Sequence, residues 1–385
     1  MCLRIHVQRD IVEVAEGDPA SYRKLAHSQN PCYTLWTCHN DEQAAITLSS
    51  FAVAHLVPTE LIIPLGMLWL GAHVALCVSF LSSSMYAIFP SKLPSLKKAA
   101  SIGHLLLGAC LLFVPKHFLG ITVQGEFNTL HAFLQAYCAP FHIALAYFLL
   151  SPAGFPQEKP FVFANAFCAL LSLLTRLLTA WHLAEKSTRG LLISDHFILC
   201  AILTEGAWLF CEGVKYSTSR RTNQDEIDQM CRRTTLWLEG KGSFYLENVF
   251  YIDVAMSLLI AFTHFAFPHH ILKLVITSEY TLDSHHIMWC RMFGCLNLLP
   301  ALCSLSVRYL PPHVQTHYLC SRLITQVMVF FLNVFGHWVL SIYSPNHISA
   351  FMISGFYMSF LFSSFYRASS QYKDVSSPTQ KSKAL

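Results

Sequence analysis

Five ionisable residues stand inside otherwise apolar runs of this sequence: Arg176, Asp195, Glu205, Asp253 and Arg322. A charge at the centre of a bilayer costs about 3 kcal/mol or more unless it is paired or solvated. Residues of this kind therefore mark either buried bridges or a polar cavity for a headgroup or ion, and these five form the candidate ligand-binding set. At about 1.5 Å of rise per residue, Arg176 lies about two turns before the end of its run and Asp195 about one turn into the next. The two share a depth and are expected to pair. The same counting puts Asp253 and Arg322 near one depth on the cytoplasmic side of the second half of the chain. Glu205 lies deeper and has no partner visible in the sequence. It is the carboxyl expected to hold a proton or meet a ligand, unless Thr175, Thr179 or a backbone carbonyl satisfies it.

Histidine, with 20 copies, is the other residue type able to do chemistry here. His269, His270, His285 and His286 bracket a loop that contains Glu279 and Asp283. Imidazoles and carboxylates that converge suit zinc or a similar borderline metal, or a pH-sensitive surface. They equally suit anchoring at the headgroup level, and no established ligand spacing is present. His104, His142, His264 and His337 fall within apolar runs and are candidate haem donors, but the sequence does not pair two of them at one depth, so no cofactor is expected. Most of the 14 cysteines also lie in apolar runs, where a thiol behaves as a small hydrophobe. No C-x-x-C, G-x-S-x-G, Walker or G-x-G-x-x-G pattern occurs. Classical catalytic machinery is thus missing, and the reading leans away from an enzyme.

The elements that must hold these groups follow from composition. Of 385 residues 54% are apolar and only 12% charged, about half the charged share of a water-soluble chain. Apolar runs at 61–80, 101–114, 130–150, 161–181, 191–210, 249–267, 287–307, 319–342 and 348–365 approach or reach the roughly 20 residues that cross about 30 Å of hydrocarbon. Backbone polar groups in lipid must be satisfied within each segment, and no run alternates with a period of two, so helices are expected and a barrel is not. The run at 44–57 is short and interrupted by Pro58, Thr59 and Glu60, leaving nine or ten spans, with ten preferred. The polar leader, 1–43, does not resemble a secretory signal. A net charge of +4 gives no reason to expect nucleic acid as a partner.

A duplication is expected within this framework. Placing Pro115 over Pro268 aligns P-K-H-F-L-G-I with P-H-H-I-L-K-L. At nearly constant offset there follow a polar loop with Glu126 or Glu279, an apolar run, a proline-bearing turn, and a run closing on Trp181-His182 or His337-Trp338. The expected fold class is all-α and polytopic: two tandem four-helix transmembrane repeats, 98–215 and 245–367, preceded by one or two extra membrane segments in 44–90. The linker 216–244 is the most polar stretch between spans, and its Arg220, Arg221, Arg232, Arg233 and Lys241 place it in the cytoplasm. The tail 368–385 then lies on the same side. It ends with Lys381 and Lys383 in K-S-K-A-L, which resembles the K-x-K-x-x retrieval signal of endoplasmic reticulum membrane proteins, a receptor-read address.

The second half ends its first helix on Ala266, Phe267 and Pro268, continues through a loop, and opens the next helix on Arg291, Met292, Phe293 and Gly294. This A-F-P and R-x-x-G pattern resembles the small four-helix membrane proteins grouped as DoxX-like. The first half has Ala139, Pro140 and Phe141 in place of R-x-x-G. The resemblance implies a four-helix fold much more than an activity. The expected function is a non-catalytic multi-pass protein of the endoplasmic reticulum membrane, binding a lipid-like ligand or a membrane partner between its helical units. The rival readings are an integral membrane enzyme or a transporter acting on a lipid or small hydrophobic substrate.

Overall fold

The computed structural model describes residues 62–88, 98–116, 127–151, 159–185, 195–218 and 245–376, with short pieces of the intervening segments. The leader 1–43, the run 44–57 and the two tail lysines lie outside the described residues. One compact unit, Val53–Ala368, carries all the packing below; the other, Met1–Ala52 with Ser369–Leu385, contributes only the end of the last helix to the described residues.

The elements run in the order α1 Ile62–Ile88, α2 Ala99–Phe113, β1 Val123–Gln124, α3 Thr129–Ala136, α4 Ala139–Leu150, α5 Lys159–Glu185, β2 Leu192–Ile193 and α6 Asp195–Ala201. A π-helical turn, Ile202–Gly206, then leads into α7 Ala207–Thr218. The second half comprises α8 Tyr245–Ala266, α9 Pro268–Val275, α10 Ser284–Val307, α11 Pro312–Trp338 and α12 His347–Ser376. Among the described residues seven helices are long and apolar enough to cross a membrane: 129–150, 160–181, 197–218, 246–266, 284–307, 312–338 and 347–370. Two shorter apolar helical stretches lie at 72–85 and 99–113. The chain is an all-α, multi-pass membrane protein.

Local chemistry sets the helix ends. Asn128 caps α3: its Oδ1 accepts the His131 backbone N–H at 3.2 Å, and His131 Nδ1 accepts the Asn128 N–H at 3.1 Å. Asp283 caps α10 in the same way, with Oδ1 accepting from His285 N at 2.9 Å and His286 N at 3.0 Å, while His286 Nδ1 accepts the Asp283 N–H at 3.1 Å. Each arrangement is a reciprocal capping box that satisfies two orphan donors. Proline occupies the first turn of α4, α9 and α11, where its missing N–H has no consequence. Pro268 therefore does more than end α8: it starts α9, a short amphipathic helix with Leu272 buried and His269, His270 and Lys273 exposed.

The packing pairs recur across the two halves. Helix α2 lies against α4 as α8 lies against α10, and the halves interlock where α10 packs on α5 and α4 packs on α11. Val123 pairs antiparallel with Ile193, and Ile276 makes the corresponding isolated bridge to Tyr343. Glycine permits both close helix crossings. A Cβ on Gly294 would stand 2.9 Å from the Ala261 carbonyl oxygen and the Phe265 nitrogen of α8. On Gly108 it would meet Ile143 Cγ1 at 2.6 Å and the Ala139 carbonyl oxygen at 3.2 Å. Arg291, the first residue of the R-x-x-G tetrad, is exposed on α10, whereas Gly294 is buried.

Candidate functional site

Three buried polar constellations occupy the interior, and their hydrogen bonding separates their roles. The first joins α8, α10, α11 and α12. Arg322 Nε donates to both oxygens of Asp253, at 3.1 and 3.0 Å, and its Nη2 donates to Ser257 Oγ at 3.0 Å and Tyr357 Oη at 3.1 Å. Asp253 also accepts from Ser304 Oγ at 2.5 Å and from the Tyr357 hydroxyl. The expected pairing of Asp253 with Arg322 is thus present. Three hydroxyls surround it, and both charged residues are at most 3% exposed. An ion pair taken out of water stabilises only when its remaining donors and acceptors are used, and the hydroxyls supply that.

The second constellation sits toward the end of the bundle that carries the N-caps Asn128 and Asp283. Arg176 Nε lies 3.3 Å from Glu205 Oε1, with the side chains 2% and 5% exposed. Glu205, for which the sequence shows no partner, thus has one in Arg176; the expected pairing of Arg176 with Asp195 lies outside the described residues. Glu205 sits on the π-helical turn, and single π turns recur at functional sites. Asp195 opens α6, and its side chain lies outside the described residues. Thr204 Oγ1 is within hydrogen-bond reach of Glu205 Oε2 and of the Cys200 carbonyl, the latter at 2.7 Å. The guanidinium carbon stands 5.2 Å from the Trp289 ring centroid and 5.9 Å from that of Phe197, so two aromatic faces complete its setting.

Polar groups around this pair are not all used. His285, on the other side of Phe197 at a ring separation of 6.1 Å, has no hydrogen-bond partner for either ring nitrogen among the described residues. Gln135 lacks one at both ends of its amide, and Trp208, one turn beyond Glu205, lacks one at Nε1. All three are at most 1% exposed, a state that native interiors normally resolve with water or a ligand. His104 and His142 meet nearby through Nδ1 atoms 3.2 Å apart, with Trp208 edge-on to both. That direct contact leaves no room for a porphyrin between them.

The third constellation joins the two capping boxes. His131 Nε2 reaches Asp283 Oδ2 at 2.8 Å, and His286 Nε2 reaches Asn128 Oδ1 at 3.3 Å, so each histidine caps its own helix and holds the cap of the other. Their rings are in tilted contact, with centroids 3.7 Å apart. Burial pushes the Asp283 carboxyl up, but the adjoining His131 and His286 imidazoles outweigh it and hold the group well below the usual carboxylate range. His131, Asp283 and His286 are near enough to hold a metal ion by distance alone. The arrangement does not favour one. Imidazoles sharing an ion at about 2.1 Å point their nitrogens at a common centre, whereas these rings lie one over the other at a tilt of 31°. Two helix N-termini also converge there, each with positive partial charge.

The four histidines expected to converge on a metal do not do so: His269 and His270 are exposed on α9, while His285 and His286 are buried at the start of α10. His131, Asn128, Tyr357 and Ser304 were not singled out from the sequence. The first two had a signal, since N-x-x-H and D-x-x-H recur at matching places ahead of apolar runs. The hydroxyl residues had none.

Comparison with the curated proteins and with the solved structures gives no match. A family model, described as Domain of unknown function (DUF8292), matches residues 98–365, which takes in both halves and every constellation above. The chain belongs to the DUF8292 family.

Proposed function

We propose that this protein is a non-catalytic, multi-pass protein of the endoplasmic reticulum membrane that holds a lipid-like ligand between its two helical halves. One observation carries the reading. A narrow crevice of about 40 Å3 runs between α4 of the first half and α10 and α11 of the second. Phe141, Leu145, Phe148 and Leu299 give it apolar walls, and Arg322 with Thr325 a polar margin. Apolar walls with a polar margin suit the chemistry of a lipid, whose chain would have to widen the crevice on entering. The recurrence of capping boxes, strand pairings and helix contacts supports reading the halves as copies of one four-helix unit, and the DoxX-like pattern around Gly294 is in keeping with that unit. The compartment rests on Lys381 and Lys383, and the cytoplasmic side on the basic linker.

Lipid extraction from the purified protein, followed by mass spectrometry, tests the ligand. A retained species that is lost when Ala144→Leu fills the crevice, in a variant that still unfolds cooperatively, is the expected result. A preparation free of lipid, or one whose lipid is indifferent to the substitution, overturns it. A membrane-protein partner is the second reading, favoured by α12, whose Ile348, Met352, Ile353 and Phe356 are exposed. Crosslinking in membranes separates the two.

A further inference from the structure

At the bundle end where α8 stops and α10 starts, α9 and the loop after it enclose a groove of about 510 Å3, within the range of small-molecule sites. Its polar lining comes from His269, Lys273, Thr277, Ser278, Tyr280 and Thr281, all able to donate hydrogen bonds, and no carboxylate lines it. Its floor is Leu272 and Ile276, which belong to a buried cluster with Leu130, Phe133 and Ile342, together with Leu282, which packs against that cluster. The nearby carboxylates are otherwise placed: Asp283 is engaged by His131 and His286, and Glu279 is exposed outside the lining.

Thr277 supplies an independent sign of a missing acceptor. Its backbone N–H donates to the Ile342 carbonyl at 2.9 Å, but its Oγ1 is buried and has no hydrogen-bond partner among the described residues. A buried hydroxyl left without a partner is costly, and this one belongs to a residue lining a groove whose one lysine offers a full positive charge. We infer that the groove binds a phosphate group, with Lys273 as its counter-charge and Thr277, Ser278 and Thr281 as hydroxyl donors. The groove opens where two spans end, at the level of lipid headgroups, and its apolar floor continues beneath the donors. The phosphate can therefore come from a lipid headgroup or from free phosphate. This site is separate from the crevice between the halves and does not rest on that reading.

The test uses the full-length protein in maltoside micelles, titrated with dioleoyl phosphatidate, dioleoylglycerol and inorganic phosphate and read by native mass spectrometry. Phosphatidate should bind roughly tenfold more tightly than dioleoylglycerol, because only the former carries the charge that Lys273 recognises. Lys273→Gln should remove most of that preference, Lys273→Arg should keep it, and Thr277→Val should weaken it a few-fold. Lys273 is exposed, so unfolding temperature should not move in its variants. Competition by inorganic phosphate assigns the site to free phosphate, and binding of phosphatidate without such competition assigns it to a headgroup. Equal binding of phosphatidate and dioleoylglycerol, or phosphatidate binding unchanged in both Lys273→Gln and Thr277→Val, overturns the inference.

Discussion

At the scale of single residues, the buried charges divide by how fully their neighbours satisfy them. Asp253 and Arg322 are enclosed by Ser257, Ser304 and Tyr357, so removing one partner leaves a charge stranded among groups arranged to receive it. Asp253→Ala is expected to lower stability by about 3–5 kcal/mol, read as a fall in the thermal unfolding midpoint in detergent. Glu205→Ala should also lower stability by removing the carboxylate beside Arg176, while a double change of both to well-packed apolar residues should recover most of it. A double variant as unstable as the sum of its single changes would show that the pair is not the unit. Asp283 gives a pH signature. Its folded pKa is depressed, so the stability it confers is complete above the unfolded carboxylate value of about 4 and is lost as pH falls below that. Unfolding midpoints between pH 3 and pH 7 should therefore drop at the acid end in the native protein, with a shallower drop in Asp283→Asn.

At the scale of elements, glycine decides how closely helices approach. Gly294 faces backbone atoms of α8 rather than flexible side chains, so an added methyl cannot be accommodated by a rotamer change. Gly294→Ala should cost about 1–3 kcal/mol through overpacking, whereas Gly213→Ala, where nothing lies within 4 Å, should be neutral or slightly stabilising. Equal midpoints for the two variants would remove the case for a close α8–α10 crossing. The π turn is the corresponding device between α6 and α7. It adds a residue to the helical turn that carries Glu205, whose carboxylate stands 3.3 Å from Arg176.

At the scale of the whole molecule, two halves with matching contacts carry different polar interiors. Arg176 and Glu205 lie toward the bundle end with the N-cap clasp, and Asp253 with Arg322 toward the other. A shared framework thus holds two unlike sites, one with every charge surrounded and one bordered by unused polar groups. If the basic linker is cytoplasmic, protease added to sealed microsomes should cut within 219–244 and spare the loop 277–282. Cleavage only after the vesicles are opened would invert the arrangement.

Composition and run length alone established the solvent and the fold class, because a helix must satisfy its own backbone in lipid wherever it lies, and that requirement reads directly as apolar runs of sufficient length. The helix starts at Asn128 and Asp283 and the match between Asp253 and Arg322 were also legible, since both follow from local spacing and depth. Only the tertiary structure paired Arg176 with Glu205, brought His131 against His286 across the halves, and set Thr277 in a groove. Each of these depends on azimuth around a helix and on contacts between residues far apart in sequence. A π turn of one extra residue, or a glycine that brings two helices together, changes both without altering the apolar pattern.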